Sequence, residues 1–409
     1  MKPQSRNIRV LYSFPHKIGA DRICTTAWQQ VDGLAKAGAD VTVFPAAVHK
    51  SFSNDVTVSS TLSRGKFRIP FKLLGRMRAL RLHDYIVSQR LKRLARSIDI
   101  VHTWPVGAME TLKTARQLGI PTVLERPNAY TRFAYEVVRA ECEKLGITMP
   151  RNHEHAFQGE LLKREEAEYD LADYLLCPSD FVAHTFLDAG FTPGKLKRHQ
   201  YGFDEKQFNV TGRAEDKQRK FTMLFVGGVA PRKGLHYALE AWMNSPAHID
   251  GTFMVAGEFL PTYKDRLAPM LNHPSIKLLG HRRDVQKLMQ ESDVLVLPSI
   301  EEGSALVTSE ARGCGCVLLV SEASGAICEN GKNALVHQVG DVAALTSHIT
   351  SLYTNPALLE KLKAESLKTV HEITWSAAGV KLLDVYRGIL EMNATLEPAD
   401  PAFAAPVTL

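Results

Sequence analysis

The feature that most constrains this chain is an alternation, run through twice, of short β-branched runs with helix-period segments. The first pass contains Ile8–Phe14, a helix expected near Ile23–Ala37, then Val41–Phe44, Ile100–Thr103, Thr122–Leu124 and Tyr174–Cys177. The second restarts after residue 220 with Phe221–Val226, a helix near Leu235–Met243, then Thr252–Ala256, Ile276–Leu279, Val294–Leu297 and Val317–Val320. Strands spaced by helices in this rhythm build parallel, doubly wound sheets. The expectation is an α/β chain of two facing Rossmann-like domains. Loops at the carboxyl edges of such strands bind ligands, so the site is expected in the interdomain cleft.

The boundaries follow from the same rhythm. Residues 1–204 read as an N-terminal Rossmann-like domain and 221–375 as a C-terminal Rossmann-like domain. Between them the polar, charge-rich stretch 205–220 reads as a linker. Residues 376–391 are expected as a helix packing back on the N-terminal domain, and 392–409, with three prolines, as a flexible tail.

With 45% hydrophobic and 23% charged residues, the 409-residue chain can bury a core in each domain, which excludes bulk disorder and fibrous architectures. The net charge of +6 is too small to argue for a nucleic-acid partner. Its distribution says more. From Thr61 to Ile98 eleven cations (Arg64, Lys66, Arg68, Lys72, Arg76, Arg78, Arg81, Arg90, Lys92, Arg93 and Arg96) face a single Asp84, a surplus of +10 that leaves the remainder at −4. Phe67, Ile69, Phe71, Leu73, Leu74, Met77, Leu80 and Leu82 interleave with them. The pattern suits an element lying on an anionic membrane surface, or simply a solvated basic helix.

The six cysteines are scattered without paired CxxC hooks, which reads as reduced thiols in cytoplasm and no zinc site. The N-terminus lacks the apolar core of a signal peptide. The longest apolar runs, Val294–Leu297 and Cys316–Val320, stop far short of the roughly 18 residues a spanning helix needs. A cytoplasmic location is expected, with any membrane contact peripheral and at the inner face.

Two loops carry chemistry. In FVGGVAPRKG a strand runs into Gly227 and Gly228, then Arg232 and Lys233 stand before a helix start, where anions are favoured and a diphosphate fits. An ordinary strand-turn-helix with solvated basic residues would read the same way. In PSIEEGSALVTSEARG the turn carries Glu301, Glu302 and Gly303, with a helix expected from about Ser304. The amides of Gly303, Ser304 and Ala305 are expected to point at a ligand while Glu302 accepts from hydroxyls, as a sugar would require. Separated from Glu302 by seven residues, Glu310 could reach a neighbouring ribose diol, or could simply face solvent.

EEGSALVTSEARGCGCVLLV resembles the EGFGL…EAMA-G-PVV signature of the retaining family 4 glycosyltransferases (glycosyl transferases group 1), which have the GT-B fold. FVGGVAPRKG resembles their VGR…KG loop, HRRDVQKLMQESDVLVLPS their sugar-nucleotide lobe, and YGFDEKQF their element before the linker. The resemblance covers 201–375 specifically and 1–200 loosely. It implies that Arg232 and Lys233 hold a donor diphosphate, and that Glu302 and the amides of Gly303, Ser304, Ala305 and Leu306 hold the sugar. By the same resemblance Glu310 takes the ribose, backbone near Gly280 and His281 meets the base, and Gly227 and Gly228 line the donor loop. The family's GR dipeptide is Gly227-Gly228 here, its EGFG is EGSA, and its N-terminal glycine pair is replaced by PHKIGADR, leaving His16, Lys17, Gly19 and Asp21 as acceptor-side candidates. His102 matches a common histidine, whereas Glu125-Arg126-Pro127-Asn128 stands where the family tends to place another, so Arg126 and Asn128 join that group.

What this implies is retaining transfer of a hexosyl group from a nucleotide diphosphate sugar to a hydroxyl of a glycan or lipid-linked acceptor, in polysaccharide or glycolipid synthesis. No Asp-x-Asp string occurs, so no metal and no cofactor are expected. A non-catalytic sugar-nucleotide-binding subunit, an epimerase and a phosphorylase on the same plan are the rival readings.

Overall fold

The computed structural model describes residues 6–52, 56–64, 67–68, 74–150, 156–213 and 220–396. The expected tail beyond residue 396 lies outside them. So do residues 214–219 of the linker and Lys66, Ile69, Phe71, Lys72 and Leu73 of the basic segment.

The first sheet comprises β1 (Arg9–Ile18), β2 (Asp40–Val48), β3 (Thr57–Val58), β6 (Ile100–Thr103), β7 (Thr122–Glu125), β8 (Tyr174–Cys177) and β9 (Leu196–Arg198), with β4 (Ser63–Arg64) and β5 (Phe67–Arg68) forming a separate hairpin. Its order is β3-β2-β1-β6-β7-β8-β9. The second sheet comprises β10 (Thr222–Val226), β11 (Thr252–Ala256), β12 (Ile276–Gly280), β13 (Val294–Leu297), β14 (Val317–Ser321) and β15 (Ala334–His337), in the order β12-β11-β10-β13-β14-β15. Every strand pair with a determined register in these two sheets is parallel. This is the doubly wound α/β architecture expected from the strand rhythm.

By compactness the chain divides into two units that interleave in sequence. One holds the described residues of 1–125, of 166–175 and from Gly379 onward. The other holds those of 126–165 and 176–378.

In the first unit β1 pairs with β2 on one side and β6 on the other, for example Tyr12 with Val43 and His102. The strand is longer than its apolar run. His16 and Lys17, expected in a loop, belong to it, and the register shifts between Phe14 and Lys17, where Pro15 offers no N–H to the ladder. A buried polar network crosses the strands: the Trp104 indole donates to Tyr12 Oη (2.6 Å), Tyr12 to Gln30 Oε1 (2.6 Å) and Gln30 to Glu125 (2.8 Å). His102, fully buried, lies between Tyr386 Oη (2.6 Å) and Glu125 (3.4 Å). Burial first, and the nearby Glu125 charge second, hold both phenols well above their ordinary range. His102 is therefore spent on packing and closed to an acceptor, a correction to its candidacy.

The basic helix Arg76–Leu94 turns Ala79, Leu80, Val87 and Leu91 into the core and leaves Arg78, Arg81, Lys92 and Arg93 exposed. Of the apolar side chains that interleave with the cations, Leu80 is packed inside, because one stripe of an amphipathic helix must cover its sheet, while Leu74, Met77 and Leu82 are half-buried. Outward stand the charges and Tyr85.

In the second unit a continuous core includes Leu224, Phe225, Leu239, Trp242, Phe253, Leu295, Leu318 and Leu319. The described part of the expected linker is fastened down: Phe208 is buried, and Arg213 donates to the carbonyls of Met289 (3.3 Å) and Cys314 (3.2 Å). All six cysteines are free thiols, and burial pushes Cys314 up to about 12 and Cys328 to about 11. Among the described residues no helix is long and apolar enough to cross a membrane.

Candidate functional site

The order of the second sheet reverses between β10 and β13, which pair at Met223↔Val294 and Leu224↔Leu295. Such a switch point leaves a crevice at the strands' carboxyl ends. Both loops singled out by sequence leave from it. After β10 the chain passes Gly227 and the exposed Gly228, tightens into a short 3-10 turn at Pro231–Lys233, and enters the helix Leu235–Asn244. Gly234 has φ of 66°, and a β-carbon there would sit 2.0 Å from the Pro298 carbonyl oxygen, so no other residue fits. The Ile300 amide donates to the Arg232 carbonyl at 2.9 Å. The two loops are stitched backbone to backbone.

That stitching brings four charges together. Arg232 Nε donates to Glu301 Oε2 at 2.6 Å, while Nη1 and Nη2 donate to the two oxygens of Glu302 at 3.2 and 3.1 Å. Lys233 Nζ also pairs with Glu302, and Ser299 Oγ lies 3.4 Å from the same carboxylate. Arg232 is 7% exposed, Glu301 1% and Glu302 6%. The sequence reading had Arg232 and Lys233 facing a ligand and Glu302 accepting from sugar hydroxyls. Here all three face each other, because buried charges must be paired.

The turn behind Glu302 is equally tight. A β-carbon on Gly303 would lie 1.7 Å from the Pro127 carbonyl oxygen. The Ala129 amide donates to Glu301 Oε1 at 3.2 Å, and Ser179 Oγ donates to the Gly303 carbonyl at 2.5 Å. The helix begins at Leu306 rather than Ser304, with no side-chain cap. The Ala305 amide, expected to face a ligand, donates to the Ser324 carbonyl at 3.2 Å instead. The amides of Gly303, Ser304 and Leu306 make no hydrogen bond among the described residues, leaving a helix start with donors to offer.

Glu310 lies one turn into the same helix. Its carboxyl makes no side-chain hydrogen bond or ion pair among the described residues, and burial pushes it up to about 7. Gly280 ends β12 with φ of 62° and open space around it, and His281 beside it is exposed. Of the acceptor-side candidates in this unit, Asn128 is exposed next to Gly303, whereas Arg126 is buried and held by Thr131 (3.1 Å) and Glu165 (3.6 Å). In the other unit, burial and then Arg76 hold His16 down to about 4, so it is neutral at pH 7. Gly19 there has φ of 78°, Lys17 is half-buried and Asp21 exposed.

Two contributors went unassigned in the sequence. Local sequence places Glu301 in the turn without assigning it a role, and it does not single out His236. His236 donates or accepts at both ring nitrogens, to Glu141 (2.8 Å) and Tyr263 Oη (2.6 Å), anchoring the helix that follows Gly234. A pair of glutamates answering an arginine-lysine pair was the available signal for Glu301. For His236 there was none, since its partners lie 95 and 27 residues away.

Residues 220–355 match the family model of glycosyl transferases group 1, and 25–207 that of glycosyltransferase family 4. EpsD of Bacillus subtilis is 28% identical over 198 residues, 48% of this chain and 49% of its own length. The N,N'-diacetylbacillosaminyl-diphospho-undecaprenol alpha-1,3-N-acetylgalactosaminyltransferase of Campylobacter jejuni is 33% identical over 101 residues, 24% of this chain and 26% of its own. The chain thus spans about half the length, or less, of these curated relatives. The crystal structure of Anabaena HepE in complex with UDP and glucose has the same fold, with a TM-score of 0.62 at 16% identity over 95% of this chain and 100% of that one.

The raised Glu310 fixes a sign for stability. Between the ordinary carboxylate range and about 7 the folded chain binds a proton that the unfolded chain releases, so stability falls as pH rises through this window and levels off above it. Glu310→Gln mimics the neutral acid. Its melting temperature relative to wild type should rise between pH 4.5 and 7 and then plateau; a pH-independent difference in thermal unfolding would contradict this.

Proposed function

This chain belongs to the glycosyl transferases group 1, and from that premise we propose that it transfers a hexosyl group from a nucleotide diphosphate sugar to a hydroxyl with retained anomeric configuration. What supports the reading is the β10–β13 switch point: its two loops set Arg232 and Lys233 against Glu302, and beyond them the amides of Gly303, Ser304 and Leu306 and the Glu310 carboxyl make no hydrogen bond among the described residues. A diphosphate answers the cations, sugar hydroxyls answer the turn at 302–306, and a ribose diol answers Glu310. HepE, of the same fold, is seen with UDP and glucose, which supports this class of donor.

In this reaction the bond from the anomeric carbon to the diphosphate breaks as the acceptor oxygen bonds to that carbon from the same face. The departing diphosphate takes the acceptor proton. Arg232 and Lys233 stabilise the charge growing on the leaving group, so catalysis is mainly electrostatic positioning. Lys233→Ala and Glu310→Ala should each lower turnover at least tenfold, about 1.4 kcal/mol of transition-state stabilisation. Wild-type rates in both, measured as nucleoside diphosphate release, would place the donor elsewhere.

The leaving-group charge is then met by side chains rather than by a metal, a reading supported by the absence of any Asp-x-Asp string. Turnover should survive EDTA. Loss of activity restored by Mn²⁺ would reject it.

The acceptor is proposed to be a glycan or a lipid-linked sugar, met at the inner face of a membrane. The Campylobacter jejuni relative carries a diphospho-undecaprenol acceptor in its name. Arg78, Arg81, Lys92 and Arg93 on the outer side of the basic helix would supply the attraction by charge. Binding to anionic liposomes should therefore vanish in high salt. Absence of sedimentation at low salt would end the proposal.

A further inference from the structure

Around Arg232 the two carboxylates are not equivalent. Glu301 takes the Nε edge of the guanidinium at 2.6 Å, and its other oxygen accepts from the Ala129 amide at 3.2 Å. It is the most buried member of the cluster, at 1% exposure. Glu302 takes the outer edge, Nη1 and Nη2, and binds Lys233 as well. It touches every cationic group that a diphosphate would need.

The four formal charges cancel. A diphosphate approaching the cluster meets no net attraction while Glu302 stays, since two cations near two anions offer an incoming dianion little. The outer edge of an arginine is also the edge that recognises phosphate oxygens in pairs. Glu302 thus stands where the ligand's anion would stand, and Glu301 keeps the guanidinium in place whichever anion holds its outer edge.

We propose that Glu301 is a positioning residue for Arg232, and that donor binding exchanges Glu302 for the diphosphate on the outer edge of that guanidinium. This rests on the reading of the crevice as a donor site. The exchange gives Glu302 two sequential tasks. It neutralises Arg232 and Lys233 in the free protein, and once displaced it accepts from the hydroxyls of the sugar. Ser299, whose hydroxyl lies 3.4 Å from its carboxylate, is a neighbour that can donate to it there. Glu301 has no such freedom, being tied at one oxygen to Arg232 and at the other to the backbone at Ala129.

The test is a titration of inorganic pyrophosphate into the purified full chain by calorimetry, in wild type, Glu302→Gln, Glu301→Gln and Glu301→Asp. If charge alone mattered, both glutamines would bind more tightly, since each removes an anion. Exchange with positioning gives opposite signs: Glu302→Gln should bind several-fold more tightly and Glu301→Gln several-fold more weakly, the arginine having lost its inner anchor. Glu301→Asp keeps the charge and shortens the reach, so it should also bind more weakly. If Glu301→Gln unfolds, as thermal scans would show, Glu301→Asp decides alone. Tighter binding in Glu301→Gln, wild-type binding in Glu301→Asp, or unchanged binding in Glu302→Gln would overturn the proposal. Failure of the donor-site reading looks different: Arg232→Ala and Lys233→Ala would then leave wild-type pyrophosphate affinity untouched.

Discussion

The chemistry of the second unit depends on one buried arginine. A guanidinium that is 7% exposed cannot remain charged without close anions, and it cannot shed its proton, so two carboxylates must come to it. Both come from a turn 69 and 70 residues further along the chain. Removing one partner of such a buried set costs about 3–5 kcal/mol, because a charge is left unmatched. The pairing of Arg232 with Glu301 and Glu302 is therefore also what holds the β10 loop against the β13 loop.

The sheet order makes that meeting possible. Because β10 and β13 are adjacent and parallel, both loops emerge at the same end, and helices crossing on opposite faces leave the gap between them uncovered. Glycines then let backbone approach backbone. Gly234 lies against Pro298 and Gly303 against Pro127, at distances where even a methyl group has no space. Side chains at those two positions would push the loops apart and separate the charges. The polar network of the first unit works differently: Tyr12, Gln30, Glu125, His102 and Tyr386 are buried and linked to one another, which rigidifies the strands they cross.

Both the fold and the two loops were legible in the sequence because they rest on local signals. Apolar runs at crossover spacing announce parallel strands, and several strand limits, such as Ile100–Thr103, Tyr174–Cys177 and Val294–Leu297, coincide with those runs. β1 was misjudged at its end because Pro15 and two polar residues look like a loop, yet the strand resumes past a register shift. What was not legible was which groups would face each other. Arg232 and Lys233 beside a helix start read as open cations, since nothing local shows the glutamates that fold onto them. Ala305 read as a free donor for the same reason: its acceptor, the Ser324 carbonyl, comes from another loop. Local sequence states what a residue can do; the long-range partner decides what it is doing.

The missing arginine of the GR dipeptide illustrates how the two levels meet. Gly228 stands in its place, exposed and with nothing near it, so a cation there would be solvated and would need no internal counter-charge. Four residues later the cation sits at Arg232, inside the 3-10 turn, where water is excluded. Moving a charge from a wet position to a dry one strengthens every interaction it makes, and equally raises the cost of leaving it unpaired. The glutamate that precedes Glu302 supplies the balance. An arginine at 232 without Glu301 would rely on Glu302 alone, and Glu302 would then be bound too firmly to its cations to serve anything else. The second carboxylate is thus the physical condition for the first one to be released.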